Sequence, residues 1–438
     1  MTAADTAPTR RARFGSLWSH GDFMKFWFGE TVSLFGTQVT YLALPLTAVL
    51  VLNVNPRQLG VLRFLEVCPF IFLALILGVW VDRRRRRPVM MLANLARGLL
   101  IGLIPLLAAV HALRLPVLYL VAFMVGIFTV LFEVSWLSYV PGLVPKEQLI
   151  EANGKVAASS ASAEVAGPGL GGLLVQLLTA PTALLVDAVS YAVSLASLLL
   201  IGTREPAPAP PAGGRRNLRG EIADGVRLVV NQPFLRVTAV QGAVWNFAFM
   251  ASEPLFLLYA IRQLHFRAGL VGAIYAVGAV GGVIGAAAAG TVSRRATFGA
   301  AYTVAVTFGS LAGFLLPAAG GPESVKVVLF VLAFFLIRLG VGLSNVLAIT
   351  LRQTVTPNHM LGRMNASMRT ILWGIGSLGA LAGGLLGATL GLRPALWVTA
   401  GIYAASLVPV LVSSIPRLAT LPEAPETPAS QTSAPASV

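Results

Sequence analysis

The sequence predicts an all-α integral membrane protein whose twelve transmembrane helices form two six-helix lobes. Three observations support this prediction. The 438 residues are 56% hydrophobic and only 11% charged, with a mean hydropathy of +0.80, whereas soluble domains carry about a quarter charged residues. Long apolar runs recur along the chain, and its two halves resemble each other in sequence.

Twelve apolar stretches are long enough to cross about 30 Å of hydrocarbon at a rise of about 1.5 Å per residue. Backbone polar groups must be bonded within such a span, so each stretch is expected to be helical. The predicted spans are 26–52, 57–81, 89–110, 115–140, 154–178, 181–202, 234–260, 268–292, 298–317, 325–350, 362–390 and 394–414.

The basic residues are unequally distributed between the two sides of the predicted membrane. If both termini are cytoplasmic, 22 of the 32 lysines and arginines lie on the cytoplasmic side, six on the other side and four inside spans. This positive-inside pattern predicts a multi-pass protein with both termini in the cytoplasm. Topology thus explains the net charge of +15, and no nucleic-acid partner is expected.

The spans and the regions between them divide the chain into five segments. A linker is indicated by the proline-rich and then basic run REPAPAPPAGGRRNLRG, and a disordered tail by the final Pro, Ala, Ser and Thr residues. The predicted segments are a cytoplasmic N-terminal segment (1–25), an N-terminal lobe (26–202), a cytoplasmic linker (203–233), a C-terminal lobe (234–414) and a cytoplasmic tail (415–438).

The two halves match under one constant offset in residue number, the offset that carries Gly78 onto Gly290. Other identical pairs at the same offset are Arg83 and Arg295, Pro145 and Pro357, Asn153 and Asn365, Gly167 and Gly379, Gly171 and Gly383, and Gly172 and Gly384. One offset across separated segments indicates an internal repeat. A repeat within the membrane predicts a transporter with its binding cavity between the two lobes.

Five consecutive arginines fill the predicted cytoplasmic loop between spans two and three, in GVWVDRRRRRPVMML. This loop resembles the Gly-x-x-x-Asp-Arg signature of the major facilitator superfamily. The gating residues that match it are Gly78, Asp82, Arg83 and Arg86, while Arg85 replaces a glycine of the family. The resemblance implies that Asp82 latches the cytoplasmic ends of the lobes by engaging a helix end, where unpaired N–H groups stabilise a carboxylate.

A second gating element lies in the fifth span, in AEVAGPGLGG. It resembles the glycine-proline motif of proton-coupled exporters in the superfamily. Gly167, Gly171 and Gly172 allow close helix approach, and Pro168 bends the helix because it lacks an N–H group. The resemblance implies a rocking hinge and favours export; ordinary small-residue packing is the alternative.

The segment from Leu131 to Gln176 resembles a bacterial exporter branch of the superfamily, which includes the enterobactin exporter and the macrolide efflux proteins. Further matches extend this resemblance over nearly the whole chain, from about Trp18 to Pro416. It implies an inner-membrane antiporter that exports a small hydrophobic or drug-like molecule by rocking two lobes. We expect a monomer that needs no cofactor.

Charged residues inside the spans are expected to be functional because they are costly in lipid unless they face water or a partner. The superfamily architecture places spans 1, 4, 7 and 10 around the cavity, and each carries one predicted proton-coupling residue: Glu30, Glu133, Glu253 and Arg338. A carboxyl group in a low dielectric retains its proton more readily than one in water. We expect Glu30 or Glu133 to carry the proton and Arg338 to favour the ionised form; a static charge pair is the alternative.

Six other charged residues in the spans are interpreted as lobe-internal charge pairs or gates: Arg63, Glu66, Arg97, Glu164, Asp187 and Arg369. The predicted substrate-binding residues are aromatic and amide side chains on the cavity helices: Phe35, Gln38, Phe132, Trp136, Trp245, Asn246, Phe249 and Asn345. Such a wall suits amphiphilic or cationic compounds through apolar burial and cation–π contacts.

An enzyme is the competing class of protein, and the sequence argues against it. The four histidines lie at loops or span ends without metal-binding spacing, no P-loop is present, and the single cysteine, Cys68, excludes a disulfide framework. We therefore expect no metal site and no catalytic residue. Proton-coupled uptake and a non-transporting sensor with a transporter fold remain alternatives, and the substrate is not specified.

Overall fold

The computed structural model describes residues 16–203, 205 and 218–422, and these residues contain helices and no strand. Residues 1–15, most of the predicted linker before residue 218 and the tail from residue 423 lie outside the described residues. The α-helices are α1 (Gly21–Leu50), α2 (Pro56–Phe72), α3 (Ala74–Asp82), α4 (Arg86–Ala109), α5 (Leu115–Leu143), α6 (Leu149–Leu177), α7 (Ala180–Leu199), α8 (Leu218–Asn231), α9 (Pro233–Leu258), α10 (Ala268–Arg295), α11 (Phe298–Leu311), α12 (Leu315–Ala318), α13 (Glu323–Thr354), α14 (Leu361–Leu390), α15 (Leu392–Ala405) and α16 (Val408–Leu411).

The all-α membrane architecture is confirmed. By length and composition, ten helical segments of the described chain are able to cross a membrane. The other two predicted spans coincide with the α2–α3 pair and with α6. Helix α6 is less apolar because its first half carries Glu151, Lys155 and several serines.

The second predicted span is divided into α2 and α3 at Leu73. Pro69 lies inside α2 and has no N–H group to donate to the carbonyl of Leu65. The thiol of Cys68 donates a weak hydrogen bond of 3.7 Å to that carbonyl oxygen. The N–H groups of Leu73 and Leu77 donate to the carbonyls of Pro69 and Leu73 at 2.9 and 2.8 Å, so backbone hydrogen bonds continue from α2 into α3.

The start of α2 shows how local sequence fixes a helix boundary. The side chain of Asn55 accepts a hydrogen bond from the Gln58 N–H, and the Gln58 side chain accepts one from the Asn55 N–H, both at 2.9 Å. Pro56 occupies the first turn, where no N–H partner is needed. This capping box satisfies N–H groups that the helix itself leaves free.

The helices pack first within each half of the chain and then across the two halves. Helix α1 packs against α6 and α7 in the N-terminal lobe, and α9 packs against α14 and α15 in the C-terminal lobe. Between the lobes, α6 packs against α10 and α2 packs against α14. We use "linker end" for the end of the bundle with the α3–α4 turn and α8, and "distal end" for the opposite end.

Helix α8, within the predicted linker, packs at the linker end against α14. A Cβ placed on Gly225 would lie 2.4 Å from Ser367 Oγ. Asp224 pairs with Arg363 at 3.4 Å. The linker segment is thus joined to the C-terminal lobe through contacts with α14.

Candidate functional site

Two pairs of glycines bring the lobes into backbone contact at the distal end. A Cβ placed on Gly60 of α2 would lie 2.9 Å from Gly384 Cα of α14. A Cβ placed on Gly272 of α10 would lie 2.9 Å from Gly172 Cα of α6 and 2.4 Å from the Pro168 carbonyl oxygen. Real Cβ atoms do not approach backbone this closely, so only glycine fits at these contacts.

The internal repeat relates these two contacts. The offset between the two halves carries Gly60 onto Gly272 and Gly172 onto Gly384. The α2–α14 contact and the α6–α10 contact are therefore copies of one arrangement. They close the same end of the molecule from two sides.

The other predicted hinge residues hold α6 against α1 within the N-terminal lobe. A Cβ on Gly167 would lie 2.3 Å from Gln38 Cβ, and one on Gly171 would lie 3.2 Å from Val39 Cα. Helix α6 is therefore held closely on one face by α1 and on another by α10.

Among the residues that the structure describes, three ion pairs cross the interface between the lobes, and the first lies towards the distal end. Arg63 of α2 binds Glu253 of α9 and also binds Glu66 of its own helix, at 2.8 Å. The Arg63 guanidinium lies 4.5 Å from the Tyr41 ring centroid. Arg63 and Glu253 are buried, so each charge depends on the other for compensation.

The second ion pair lies near the middle of the bundle. Arg338 of α13 pairs with Glu164 of α6 at 3.1 Å, and its guanidinium lies 5.2 Å from the Phe249 ring centroid. The sequence predicts that Arg338 acts on Glu30 or Glu133. In this structure its acidic partner is Glu164, because α6 and α13 face each other across the interface.

The third ion pair lies in the half of the bundle nearer the linker end. Glu133 of α5 pairs with Arg369 of α14 at 2.7 Å. Beside it, Phe70 stacks on Trp373 with ring centroids 6.1 Å apart. Arg63, Glu164 and Arg369 therefore pair across the interface and not only within their own lobes.

The exposure of the second and third pairs shows that they face a chamber between the lobes. Side-chain exposure is 51% for Glu164 and 29% for Arg338, and 38% for Glu133 and 51% for Arg369. Charged groups at these depths are stable next to water and costly next to lipid. The space between the lobes is therefore accessible to water.

Glu30 lies inside the N-terminal lobe and is buried. Its Oε2 has no hydrogen-bond partner among the described residues, and Arg97 and Glu133 are the charged groups that act on it electrostatically. The Arg97 guanidinium donates to Asn94 and lies 4.4 Å from the ring centroid of Phe132. Asp187, also buried, binds Thr40 and Ser190 instead.

Four predicted substrate-binding residues line one cavity of about 410 Å³: Trp245, Asn246, Phe249 and Asn345. The wall comes from α9, α11, α13 and α14 of the C-terminal lobe, and the facing lobe contributes Glu164. Trp245 and Phe249 stack with ring centroids 5.3 Å apart. Arg338 and Arg352 also line this cavity.

The other four predicted binding residues lie elsewhere in the N-terminal lobe. Phe132 is buried beneath Arg97. Gln38 packs against Gly167, Trp136 packs on the apolar cluster around Phe132, and Phe35 is half-buried on α1. None of them lines the C-terminal-lobe cavity.

The arginine loop carries a helix-end contact that the sequence did not predict. Glu205 accepts hydrogen bonds from the N–H groups of Arg86 at 2.7 Å and Arg87 at 3.0 Å, at the start of α4. Arg83 is exposed, and a Cβ on Gly78 would meet only a methyl group of Val134, at 3.8 Å. Asp82 ends α3, and its side chain lies outside the described part of the structure.

Within 16–203, 205 and 218–422, no three His, Cys, Asp or Glu side chains are placed to hold an ion. The charged groups of the interface instead occur as pairs of opposite sign. Such pairs are able to separate and reform as two lobes move.

A model of a known protein family matches most of the chain. Residues 26–379 match the family model of the Major Facilitator Superfamily. The chain belongs to this superfamily. The resemblance seen in the arginine loop and the fifth span is thereby confirmed, and this member of the superfamily is a membrane transporter.

Two curated relatives of this major facilitator chain are exporters. The enterobactin exporter EntS of Citrobacter koseri is 29% identical over 289 residues, which cover 66% of this chain and 67% of EntS. The multidrug efflux pump Tap of Mycolicibacterium fortuitum is 24% identical over 386 residues, which cover 85% of this chain and 91% of Tap.

Solved structures share the major facilitator fold at low sequence identity. A mutant of the nucleoside transporter NupG has a TM-score of 0.74 and 11% identity, with 89% of this chain and 99% of that chain covered. A bacterial homologue of the iron transporter ferroportin, in its inward-facing state, has a TM-score of 0.73 and 17% identity, with 89% and 98% covered. Its outward-facing state has a TM-score of 0.58 and 18% identity at the same coverage.

Sequence reasoning did not identify Arg352 as a residue of this major facilitator cavity. The apolar run ends at residue 350, which predicts a cytoplasmic loop position for Arg352. Helix α13 continues to Thr354, and Arg352 lines the cavity beside Gln241 and Tyr302. Arg352 follows Arg338 by close to a whole number of helical turns, and this spacing is the one signal that placed both on a similar face.

Proposed function

We propose that this transporter exports small hydrophobic or drug-like molecules in exchange for protons, by alternating access. The observation that carries the proposal is a water-accessible chamber between the lobes, lined by charge pairs and bounded at the distal end by the glycine contacts. Alternating access requires a chamber that is sealed at one end while the other end is open.

The distribution of basic residues supports placing the linker end in the cytoplasm of a bacterial cell, with the protein in the inner membrane and both termini inside. The structure then corresponds to an inward-facing state. The higher TM-score to the inward-facing ferroportin homologue, 0.73 against 0.58, supports this state. The exporter relatives EntS and Tap support export as the direction of transport.

Glu30 and Glu133 are the proposed proton carriers. Glu30 is buried with a free carboxylate oxygen, and Glu133 binds Arg369 across the interface. Protonation of Glu133 would remove the charge that attracts Arg369 and so loosen this contact between the lobes. The Arg63–Glu253 and Glu164–Arg338 pairs would separate and reform as the lobes rock.

The test is export in an efflux-deficient bacterial host. Cells with the wild-type chain should show lower susceptibility to part of a drug panel, and a protonophore should abolish the difference. Glu30→Gln and Glu133→Gln should each lose proton-driven export at normal membrane abundance. Glu147→Gln, at an exposed position at the linker end, is the matched control and should remain active.

Each contrary result refutes a defined part of the proposal. Full activity of both the Glu30 and Glu133 variants would refute the proton carriers. Protonophore-insensitive export would refute proton exchange. Net proton-driven accumulation of the tested compounds in intact cells would indicate uptake, and binding without movement would indicate a sensor.

A further inference from the structure

The cavity of the C-terminal lobe is elongated along two antiparallel helices. Arg352 and Arg338 both line it from α13, and their positions lie roughly 20 Å apart along the helix at about 1.5 Å per residue. On α9, Gln241 lies towards the linker end and Phe249 lies deeper, near Arg338. One end of the cavity is therefore marked by Arg352 and the other by Arg338.

The two arginines differ in how their charges are compensated. Arg338 has an acidic partner in Glu164 at 3.1 Å. Arg352 donates from Nε to the Thr238 hydroxyl at 3.3 Å, and within the described part of the chain no carboxylate lies within 4.0 Å of its guanidinium. Tyr302, the titratable group that acts on it, carries a neutral hydroxyl at pH 7. The cavity thus carries one uncompensated positive charge.

Flat apolar surface lies between the two arginines. Trp245 and Phe249 stack at 5.3 Å with an interplanar angle of 10°. The Tyr403 ring packs edge to face against the Trp245 indole, with ring centroids 5.6 Å apart, and restrains its orientation. Such rings present a rigid surface on which another aromatic ring can stack, and the amides of Asn246 and Asn345 lie at its margin.

We propose that this cavity binds aromatic acids, whose anionic group pairs with Arg352 and whose ring packs against the Trp245–Phe249 stack. This inference rests on the proposed function and specifies its substrate class, because it selects anionic aromatic molecules rather than cationic ones. The physical reason is that a partly buried guanidinium needs an anionic partner, and the planar fork of arginine binds carboxylate, sulfonate or phosphate through paired hydrogen bonds.

A pair of fluorescent dyes with one skeleton provides the test. 8-Anilinonaphthalene-1-sulfonate carries a sulfonate, and N-phenyl-1-naphthylamine is the same ring system without it. Binding of each dye is titrated on the full-length protein in nanodiscs of neutral phosphatidylcholine, with protein-free nanodiscs as background. Arg352→Gln removes the charge, Arg352→Lys retains it, and Arg417→Gln removes an exposed charge elsewhere at the linker end.

Arg352→Gln should weaken sulfonate-dye binding by about tenfold or more, as expected for a lost charge-assisted hydrogen bond, and leave binding of the neutral dye within about twofold. Arg352→Lys should recover part of the loss, Arg417→Gln should bind both dyes like the wild type, and Trp245→Leu should weaken both dyes. Equal loss of both dyes in Arg352→Gln would reveal a packing role for Arg352 and overturn the inference. Unchanged sulfonate-dye binding, or no specific binding of either dye to the wild type, would also overturn it.

Failure of this inference is distinguishable from failure of the proposed function. The dye titration measures binding at equilibrium and needs no proton gradient. If the chain binds the sulfonate dye through Arg352 but shows no protonophore-sensitive export, the binding inference stands and the proposed transport mechanism fails. If the chain exports but binds both dyes independently of Arg352, the transport mechanism stands and the proposed substrate class fails.

Discussion

Arg369 of α14 and Glu133 of α5 form an ion pair of 2.7 Å between the two lobes, in the half of the bundle nearer the linker end. The adjacent Phe70–Trp373 stack joins the same two lobes. Both side chains of the ion pair are partly exposed to the chamber, so water is able to replace either partner when the lobes move. The pair is therefore suited to hold one conformation without locking it.

Removing this ion pair should shift the conformational equilibrium away from the present state. Glu133→Gln and Arg369→Gln should each lower the ratio of the present conformation to the alternative one by about two- to fivefold. The reason is that an exposed ion pair contributes up to about 1 kcal/mol. The double exchange Glu133→Arg with Arg369→Glu should restore the ratio. Spin labels at Lys146 and His359, exposed at the linker end on opposite lobes, would measure this by double electron–electron resonance in a Cys68→Ser background.

An unchanged distance distribution in the single variants would mean that the pair persists in both conformations. A double exchange that leaves the ratio as low as in either single variant would show that the two charges do not interact. Cys68 is the one native cysteine, so the background needs a single substitution.

The glycine contacts that close the distal end should be sensitive to the addition of a single methyl group. In Gly172→Ala, the new Cβ would lie 2.6 Å from the Ala268 carbonyl oxygen, and a backbone atom of the facing lobe cannot move aside alone. The variant should favour a state with the distal end open, seen as longer distances between labels at Arg114 and Ser324. Gly384→Ala, its counterpart in the repeat, should act in the same direction.

Gly154→Ala is the matched control because it lies on the same helix with no atom within 4 Å of the new Cβ. It should leave the distances unchanged, and its higher helix propensity should raise stability by up to about 1 kcal/mol. Similar distances in Gly172→Ala and in the wild type would show that α6 and α10 accommodate the added methyl group without opening the distal end.

The sequence already indicates two glycines of the contacts that close the distal end, but it does not reveal which residues they contact. The constant offset of the repeat identified Gly172 and Gly384 as equivalent, and the fifth-span resemblance marked Gly172 as a hinge. Their contact partners, Gly272 and Gly60, obey the same offset. They became visible only when the structure brought α6 to α10 and α14 to α2.

Side-chain direction was the part of the site that the sequence could not predict. A membrane helix is apolar both where it faces lipid and where it faces its neighbours, so periodicity does not reveal which face lines a cavity. Trp245 and Phe249 therefore line the cavity while Phe132 is buried beneath Arg97. The ion-pair partners were hidden for a related reason: Glu133 and Arg369 are 236 residues apart in the chain.

The cluster of Arg63, Glu66 and Glu253 predicts an order of stability among its variants. Arg63→Gln leaves the buried Glu253 carboxylate and the partly exposed Glu66 carboxylate without their cation and should cost about 3–5 kcal/mol. Glu66→Gln should cost less, because Arg63 retains Glu253 and gains a neutral hydrogen-bond partner. Thermal unfolding of the purified variants in one detergent would rank them, and an equal loss for Glu66→Gln and Arg63→Gln would contradict the assigned role of Glu253.

The contact between Glu205 and α4 predicts that the start of the linker stabilises the N-terminal lobe. The Glu205 carboxylate accepts from the first N–H groups of α4, at Arg86 and Arg87, where it also meets the positive end of the helix dipole. Glu205→Ala should lower stability by about 0.5–2 kcal/mol, as for loss of a helix cap. Glu205→Gln should keep one of the two hydrogen bonds and lose the other together with the charge. Glu323→Ala, at the exposed distal start of α13, controls for removal of an acidic side chain. The measurement is the midpoint of thermal unfolding, supported by amide hydrogen exchange in the first turn of α4. If the carboxylate caps α4, Glu205→Ala should speed amide exchange at Arg86 and Arg87 and leave exchange at the start of α13 unchanged. Equal exchange at Arg86 and Arg87 in Glu205→Ala and in the wild type would show that water replaces the carboxylate as the hydrogen-bond acceptor without loss of protection.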